Sequence, residues 1–229
     1  MSSILPKLSI IIPVLNEAKN IAVVLTSLTV AENIEIIVVD GGSQDETKQI
    51  AQSFPVKVIH SSPGRANQMN AGAALARGKI LLFLHADTLL PQNFLQLINQ
   101  ALSQPQTVAG AFELAIAGES KSLRFIATLV NWRTHFLSLP YGDQAIFLSA
   151  VTFKQIQGYE NIPIMEDFTL IKKLQKLGKI AIISSPVITS NRRWQKLGLL
   201  KTTLINQLII LGYYLGVSPE KLSKFYRRR

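Results

Sequence analysis

The chain has 229 residues, of which 48% are hydrophobic and 17% charged, so it is predicted to fold as one domain with a sizeable core. The composition excludes a disordered chain, and the lack of cysteine excludes disulfides, thiolate zinc sites and cysteine nucleophiles. The 24 Lys and Arg residues outnumber the 14 Asp and Glu residues, and the net charge of +10 favours an anionic partner.

Strand and helix patterns alternate along the first part of the chain. In order, they predict strand 8–13, helix 20–30, strand 35–39, helix 44–54, strand 56–60, helix 66–77 and strand 80–85. Beyond Pro91 they predict helix 93–101, strand 109–114, helix 122–137, strand 144–149, and a helix that opens with Glu166-Asp167 and stops at Gly178. This alternation predicts an α/β fold with a mostly parallel sheet, whose strand-end loops gather on one edge.

The loops after the first two predicted strands carry polar residues suited to a nucleoside. Pro13 ends the first strand, and Asn16 and Glu17 follow it directly. Asp40 ends the second strand and could accept a base N–H or a ribose hydroxyl, while Gly42 permits close ligand approach. The alternative is structural, because Asn16 is a good helix cap and the glycines suit a tight turn without a ligand.

The fourth predicted strand is an apolar run that ends at His85 and Asp87. Asp87 offers a hard oxygen ligand for Mg²⁺ or Mn²⁺, and His85 would lie on the same face if the strand continued. As an isolated motif, this pair fits a capping aspartate and a core histidine better than a metal site.

Two further groups are candidates for anion binding and for proton transfer. Arg65 opens a predicted helix after Gly64, where free N–H groups and a guanidinium attract anions. Glu166 and Asp167 could supply a general base, although acids at a helix start also act as simple helix stabilisers.

The C-terminal part combines an apolar segment, residues 199–217, with a basic tail, residues 220–229. Polar residues within the apolar segment make it a poor membrane-spanning helix. It is expected either to touch a membrane peripherally or to pack on the domain. The start of the chain lacks the layout of a secretory signal, so we expect a cytoplasmic location, including the inner face of the cytoplasmic membrane. The sequence lacks an aromatic-rich basic strand of the kind that binds nucleic acid, so no nucleic-acid partner is expected.

The motifs in residues 11–17 (IIPVLNE), 38–45 (VVDGGSQD), 85–87 (HAD) and 166–167 (ED), in that order, resemble glycosyltransferase family 2 with the GT-A fold. The small bacterial subgroup with a Leu-His-Ala-Asp-Thr segment is most similar, including residues 64–72 (GRANQMNAG). The resemblance covers about residues 8–193. It implies a hexosyltransferase-type enzyme that inverts the sugar as it transfers it from a nucleotide sugar, usually a UDP-sugar.

The resemblance also implies roles for individual residues. Asp87 would hold Mg²⁺ or Mn²⁺ on the diphosphate, and Asp167 or Glu166 would deprotonate the acceptor. Residues 191–194 (NRRW) are similar to a Gln-x-x-Arg-Trp motif, which would place Arg193 at the leaving phosphate and Trp194 beside the acceptor. The residues expected to bind the donor nucleotide are Pro13, Asn16, Glu17, Asp40, Gly42, Arg65 and His85.

The expected organisation is a GT-A domain over residues 1–196 and a C-terminal helical segment over residues 197–229. Residues 1–90 would bind the nucleotide sugar and residues 91–196 the acceptor, a hydroxyl or carboxylate on a lipid-like or other hydrophobic molecule. His85 and Asn191 depart from the family motifs, and the multiple membrane spans of processive relatives are lacking, so a single transfer is expected. Two alternatives are a nucleotidyltransferase acting on a sugar phosphate and a non-catalytic module bound to a membrane surface.

Overall fold

The computed structural model describes residues 6–29 and 33–227. Its strands are β1 (Leu8–Val14), β2 (Ile34–Asp40), β3 (Lys57–His60), β4 (Ile80–Phe83), β5 (Thr88–Leu89), β6 (Thr107–Ile116), β7 (Phe147–Ser149) and β8 (Lys179–Thr189). Its helices are α1 (Ala18–Leu28), α2 (Thr47–Gln52), α3 (Arg65–Leu75), α4 (Phe94–Leu102), α5 (Lys121–Leu137), α6 (Ala150–Gln155), α7 (Glu166–Gln175), α8 (Arg192–Leu197), α9 (Leu199–Tyr214) and α10 (Pro219–Arg227). A short 3-10 helix spans Gly142–Gln144.

The strands of the described residues form one eight-stranded sheet in the order β3-β2-β1-β4-β7-β6-β8-β5. Strands β1 to β4 are parallel neighbours, while β7 and β5 run against the strands beside them. Strand β8 lies parallel to β6. The predicted α/β fold with a mostly parallel sheet is therefore confirmed, and the ends of β1, β2 and β4 lie on one edge.

The sheet is buried on both faces because apolar residues fill both sides of its central strands. On β1, Ile10 and Ile12 pack into one core cluster, whereas Ile11 packs into the cluster on the other face. Strand β2 repeats the pattern with Val38 and Val39. A continuous apolar strand buried on both faces is typical of a parallel sheet flanked by helices.

Several predicted boundaries are wrong for local reasons. Strand β4 ends at Phe83, not His85, because the chain turns after Leu84 and the Thr88 N–H donates to the His85 carbonyl at 3.2 Å. His85 and Asp87 therefore lie in a loop. The short helix α2 replaces predicted helix 44–54, since Ser43 and Asp45 bind the loop after β1 instead. The predicted end of the first helix, Val30, lies outside the described residues.

The C-terminal helices pack on the domain with one face. Ile205 and Ile209 of α9 and Leu222 of α10 are buried in the same core cluster as Phe168. The Phe168 ring also meets the Tyr213 ring at 5.2 Å. The C-terminal part was expected either to touch a membrane or to pack on the domain, and the structure shows the packing.

None of the described helices is both long enough and apolar enough to span a bilayer.

Candidate active site

The loops after β1 and β2 are bound to each other at the edge of the sheet. The Asn16 amide N–H donates to Ser43 Oγ at 3.0 Å, and Asn16 Oδ1 accepts the Gln44 N–H at 2.8 Å. The Glu17 N–H donates to Thr47 Oγ1 at 2.7 Å. Asn16 has a positive φ of 56° and makes no side-chain cap on α1, so the capping role considered for it is wrong. Its side chain instead fixes the β2 loop.

Asp40 holds the turn that follows β2. Its carboxylate is buried and accepts the N–H groups of Gly42 and Ser43, each at 3.1 Å. Burial opposes ionisation, but these hydrogen bonds and those from the Ser43 hydroxyl and His60 outweigh it, so the Asp40 pKa is lowered. Gly42 has a φ of 99°, which favours glycine. Asp40 is therefore an ionised group that shapes its own loop.

Helix α3 is fixed to the same edge by Gln68. Its buried Nε2 donates to the carbonyl of Val14 at 2.9 Å and to that of Val39 at 2.8 Å, the ends of β1 and β2. At the start of α3, the Arg65 guanidinium lies 3.9 Å from Glu166 Oε1. One helix thus positions the two strand-end loops and directs a cation towards the predicted acidic pair.

A cavity of about 280 Å³ lies beside these loops. It brings together loop residues from both halves of the sheet and side chains of the C-terminal helices. Its lining includes Arg65, His85, Asp87, Tyr141, Gly142, Asp143, Ile164, Met165, Glu166, Asp167, Phe168, Thr189, Ser190, Arg192, Trp194, Asn206, Ile209, Ile210 and Tyr226. A concave site with apolar walls and a few convergent charged groups is the usual form of a ligand pocket.

Asp87 sits at the side of the cavity that faces the β1 loop. Its backbone carbonyl accepts the Ser190 N–H at 3.1 Å, so the segment after β8 is held against it. This contact brings Arg192 to 3.6 Å from Asp87 Oδ2, while the same guanidinium binds Glu17 at 2.7 Å. Burial and the negative charge of Glu17 raise the Asp87 pKa, and Arg192 opposes the rise.

His85 is a neutral group in the wall of the cavity. Burial, together with the positive charge of Arg65, lowers the pKa of His85 to about 3. A Cβ atom added to Gly142 would lie 3.2 Å from His85 Nε2 and 3.3 Å from Asp167 Oδ2, so the glycine lets the three residues approach closely.

The acidic pair opens α7 on the opposite side of the cavity. Asp167 accepts the Gly142 N–H on Oδ2 and the Phe168 N–H on Oδ1, both at 2.7 Å. Glu166 is 5% exposed, and burial, reinforced by the charge of Asp167, raises its pKa to about 7. Two adjacent carboxyl groups thus have different environments, which is typical of acid–base sites.

Asp143 is a third acid in this wall. Burial and the charge of Asp167 raise the pKa of Asp143 to about 6, and its buried Oδ1 has no hydrogen-bond partner among the described residues. The 3-10 turn that carries it is held by Gln144, whose Nε2 donates to the Phe112 carbonyl at 2.9 Å. Asp143 is therefore a buried carboxyl held in a fixed position near the charge of Asp167.

The comparison with known protein families decides the family of this chain. The family model described as "Glycosyl transferase family 2" matches residues 9–148, more than half of the chain. The chain belongs to glycosyltransferase family 2. The matched region contains the loops after β1, β2 and β4 and ends in β7, so it covers the side of the cavity that carries Asp87.

Among curated family 2 relatives, glycosyltransferase AglE of Haloferax volcanii is 37% identical over 107 residues, covering 42% of this chain and 35% of AglE. A PGL/p-HBAD biosynthesis glycosyltransferase of Mycobacterium bovis is 42% identical over 91 residues, 36% of each chain. The stretch that this chain matches thus covers about a third of the length of each of these relatives.

Solved structures of similar fold include two nucleotide complexes. TarS 1-349 of S. aureus with UDP has a TM-score of 0.64 at 21% identity, covering 80% of this chain and 60% of TarS. Glucosyl-3-phosphoglycerate synthase of Mycobacterium tuberculosis with Mn²⁺, UDP and glucosyl-3-phosphoglycerate has a TM-score of 0.63 at 20% identity, covering 89% and 79%. These likenesses confirm the GT-A fold predicted from the family 2 motifs.

The structure distributes the predicted family 2 site residues over two neighbouring groups. Arg65, His85, Asp87, Glu166, Asp167 and Trp194 line the cavity. Pro13 and Asp40 lie at the ends of β1 and β2, and Asn16 and Gly42 lie in the loops that follow, which Glu17 joins to the cavity through Arg192. The backbone of Arg193 lies in α8, but its side chain is outside the described part of the structure.

Three polar residues of the cavity wall, Tyr141, Asp143 and Arg192, were not predicted from the sequence. Arg192, not Arg193, is the described arginine beside Asp87. Tyr141 and Asp143 also line the cavity. A polar Gly-Asp-Gln segment between an apolar helix and a buried strand was the available signal for Asp143. For Arg192 the signal was weaker, since its pairing with Glu17 and Asp87 spans more than 100 residues of sequence.

Proposed function

We propose that this chain is a metal-dependent inverting glycosyltransferase that moves a sugar from a nucleotide sugar, of the UDP class, to an acceptor hydroxyl or carboxylate. The observation that carries the proposal is that Asp87 and the Glu166–Asp167 pair face one cavity although they are far apart in sequence. Family membership supports the reaction class. Structural neighbours have been solved with UDP-GlcNAc, with UDP and Mn²⁺, and with GDP-Man and Mn²⁺.

The donor would lie over the loops that Gln68 holds together. In this proposal, residues 1–90 form the donor half, with Pro13, Asn16 and Glu17 lining the nucleoside pocket. Asp40 would recognise the base, with a donor N–H taking the place of one of the hydrogen bonds that its carboxylate now accepts. Gly42, Arg65 and His85 complete the proposed donor set.

A divalent metal fits Asp87 only together with a substrate diphosphate. The described residues contain no group of three or more His, Asp or Glu side chains that could hold a metal alone. Mg²⁺ is commonly bound by one or two carboxylates with phosphate oxygens and water, and Asp87 supplies the carboxylate. When bound there, Mg²⁺ or Mn²⁺ would supply Lewis-acid stabilisation of the departing diphosphate.

Side chains of this protein would accept the proton of the acceptor hydroxyl and neutralise the charge of the leaving diphosphate. Asp167 accepts the proton from the acceptor hydroxyl as that oxygen bonds to the anomeric carbon, and the bond from that carbon to the diphosphate oxygen breaks. Glu166 is the alternative base. An acceptor carboxylate would attack without this proton transfer. Arg192, with Arg193, would neutralise the nucleoside diphosphate as it leaves.

The acceptor half, within residues 91–196, would receive a lipid-like or otherwise hydrophobic acceptor. Ile164, Phe168 and Trp194 line the cavity, and Ile209 and Ile210 of the C-terminal segment extend the apolar wall. We propose that the C-terminal segment, residues 197–229, also contacts a membrane peripherally at the inner face of the cytoplasmic membrane. Basic residues in that tail would favour anionic lipid.

Calorimetry with UDP and MnCl₂ tests the donor side of the proposal. We expect Mn²⁺ to tighten UDP binding to the full chain, and Asp87→Asn to abolish that effect. Glu160→Gln serves as the matched control, because Glu160 pairs with Lys173 and is not among the cavity-lining residues. The proposal fails if UDP, GDP and their sugars do not bind with either metal, or if Asp87→Asn leaves the Mn²⁺ effect intact.

Turnover is tested by release of nucleoside diphosphate from a panel of nucleotide sugars. Slow hydrolysis of the donor is expected even without the true acceptor. Release of pyrophosphate from a nucleoside triphosphate and a sugar phosphate would instead identify a nucleotidyltransferase and overturn the proposal.

A further inference from the structure

Helix α5 exposes a continuous apolar face that no described element covers. Phe125, Leu129, Trp132 and Phe136 are 63%, 47%, 67% and 75% exposed. Their spacing places them on one side of a helix. The rings of Trp132 and Phe136 stack with centroids 5.6 Å apart and an interplanar angle of 5°. We call these four residues the α5 stripe.

The α5 stripe is not needed to hold α5 on the domain. The opposite face carries the buried residues Leu123, Ile126 and Ala127. On that side the Asn131 amide both donates to the Leu114 carbonyl, at 3.0 Å, and accepts the Leu114 N–H, at 2.8 Å. Scattered exposed apolar residues are normal, whereas a contiguous patch with two stacked aromatic rings is typical of an interaction surface.

Helix α9 carries a second exposed stripe of the same kind. Leu204, Leu208, Leu211 and Leu215 are 60%, 43%, 55% and 74% exposed, and they form what we call the α9 stripe. Ile205 and Ile209, on the other face of α9, are buried in the core. One side of the helix therefore binds the domain and the other remains available.

The ends of both helices approach the cavity. Tyr141 follows α5 shortly after its end and lines the cavity. Tyr214 ends α9, and its ring meets that of the cavity residue Phe168 at 5.7 Å. Both stripes therefore belong to helices whose C-terminal ends reach the cavity.

The charge of these segments favours an anionic partner. Helix α5 contains Lys121, Arg124 and Arg133 and no Asp or Glu. Residues 192–229 contain nine Lys and Arg residues and a single acid, Glu220. Two such surfaces would repel each other, which argues against a second copy of the chain as the partner. Exposed Trp and Phe flanked by basic residues are the composition of helices that lie in the interface of an anionic bilayer.

We propose that the α5 stripe docks onto the headgroup region of an anionic lipid bilayer and holds the cavity near the membrane surface. This extends the proposed contact of the C-terminal segment to a helix in the middle of the domain. It does not depend on the reaction at the cavity, and its test uses no nucleotide.

Vesicle sedimentation with the full chain tests the docking surface. We expect binding to phosphatidylcholine vesicles that contain phosphatidylglycerol and little binding to phosphatidylcholine alone. Trp132→Ser combined with Phe136→Ser should weaken binding by about tenfold or more, because interfacial affinity scales with the apolar area buried. The matched control combines Val23→Ser with Val151→Ser, since these valines are 58% and 77% exposed on other helices and should leave binding unchanged.

Tryptophan fluorescence provides a second, residue-specific measurement. The chain has two tryptophans, so Trp194→Phe leaves Trp132 as the only reporter. We expect its emission to shift to shorter wavelength with phosphatidylglycerol vesicles and to be quenched by brominated lipid. Unchanged thermal melting of the double serine variant will show that it folds.

Three results would overturn the proposal. The first is equal vesicle binding by the folded double serine variant and the unaltered chain. The second is equal affinity for neutral and anionic vesicles. The third is a chain that binds no vesicles but forms an oligomer, seen by analytical ultracentrifugation, that the double serine variant dissociates, since this would assign the α5 stripe to contacts between copies.

Discussion

Arg192 binds Glu17 in a two-point ion pair that joins the end of the sheet domain to its beginning. Its Nη1 donates to Glu17 Oε2 at 3.0 Å and its Nη2 donates to Oε1 at 2.7 Å. The same Nη2 lies 3.6 Å from Asp87 Oδ2. One guanidinium therefore neutralises two carboxylates where the proposed donor diphosphate would bind.

Arg192→Ala is expected to weaken UDP binding by about tenfold or more while leaving uridine binding unchanged. A guanidinium matches phosphate oxygens in two-point geometry, so its loss affects the diphosphate and not the nucleoside. Arg192→Lys should be intermediate because an ammonium keeps the charge but not the fork. Calorimetry with the two ligands measures the difference.

The exposed Lys154 on α6 provides the control for Arg192, since Lys154→Ala removes a positive charge from a residue outside the cavity lining. Equal weakening of UDP and uridine binding would show that Arg192 acts through the Glu17 loop. Tighter UDP binding by Arg192→Ala would show that the arginine competes with the donor.

The acidic pair is expected to divide into one base and one electrostatic neighbour. Asp167→Asn should lower turnover by about 10²- to 10⁴-fold with little change in UDP affinity, because it removes the proposed proton acceptor and keeps the shape of the side chain. Glu166→Gln should lower turnover less. Steady-state kinetics, with nucleoside diphosphate release as the signal, measure both variants.

The reverse order of the two effects would assign the base to Glu166, whose pKa of about 7 suits that role at neutral pH. Glu160→Gln is the control for a general effect of losing a carboxylate, because Glu160 lies outside the cavity lining.

The strand-end loops were predictable because local sequence determines them. Runs of Ile and Val that end in Asp40 or at Pro13 identify buried strands and the points where they stop. Parallel pairing then requires those ends to share an edge, and the structure pairs Val14 with Asp40 in register. The arrangement of these strand-end loops thus followed from pattern and topology together.

The opposite side of the site depended on contacts that local pattern does not encode. Strand β8 was not predicted because Ser184, Ser185 and Pro186 interrupt its apolar pattern, and its register against β6 shifts at that point. Strand β8 ends shortly before Arg192. Because this strand was not predicted, the ion pair between Arg192 and Glu17 could not be predicted either. Asp143 was missed because its burial and its proximity to the charge of Asp167 arise only in the folded chain.

Gln68→Leu is expected to destabilise the fold by about 1–3 kcal/mol, because the carbonyls of Val14 and Val39 each lose a buried hydrogen bond, while the Gly41 N–H still donates to Val14. The loops that carry Asn16 and Asp40 should also become less well positioned, so UDP affinity should fall. Urea unfolding measures the free energy. Gln52→Leu, at an exposed position on α2, should change stability far less. A similar loss in both variants would indicate that the cost comes from the added leucine.

Asp143 should make the stability of the chain fall as pH rises. Its pKa is about 6 in the folded chain and 3.8 ordinarily, because burial and the charge of Asp167 favour the protonated form. The folded state therefore binds this proton more tightly than the unfolded state does. The resulting stability is fully present below about pH 4 and is lost as pH rises through about 6.

Asp143→Asn removes this pH-dependent contribution. The free energy of unfolding of the variant minus that of the unaltered chain should therefore be about 1–3 kcal/mol larger at pH 8 than at pH 4. Urea unfolding of both proteins from pH 4 to pH 8 measures this difference. The titration of Glu166 contributes equally to both proteins and cancels. Asp45→Asn provides a control of opposite sign: hydrogen bonds, first from the Thr47 hydroxyl, lower the pKa of the exposed Asp45. That variant should lose stability at pH 8 and recover it as pH falls through the lowered pKa. A pH slope for Asp143→Asn that matches the unaltered chain would contradict the proton held at Asp143.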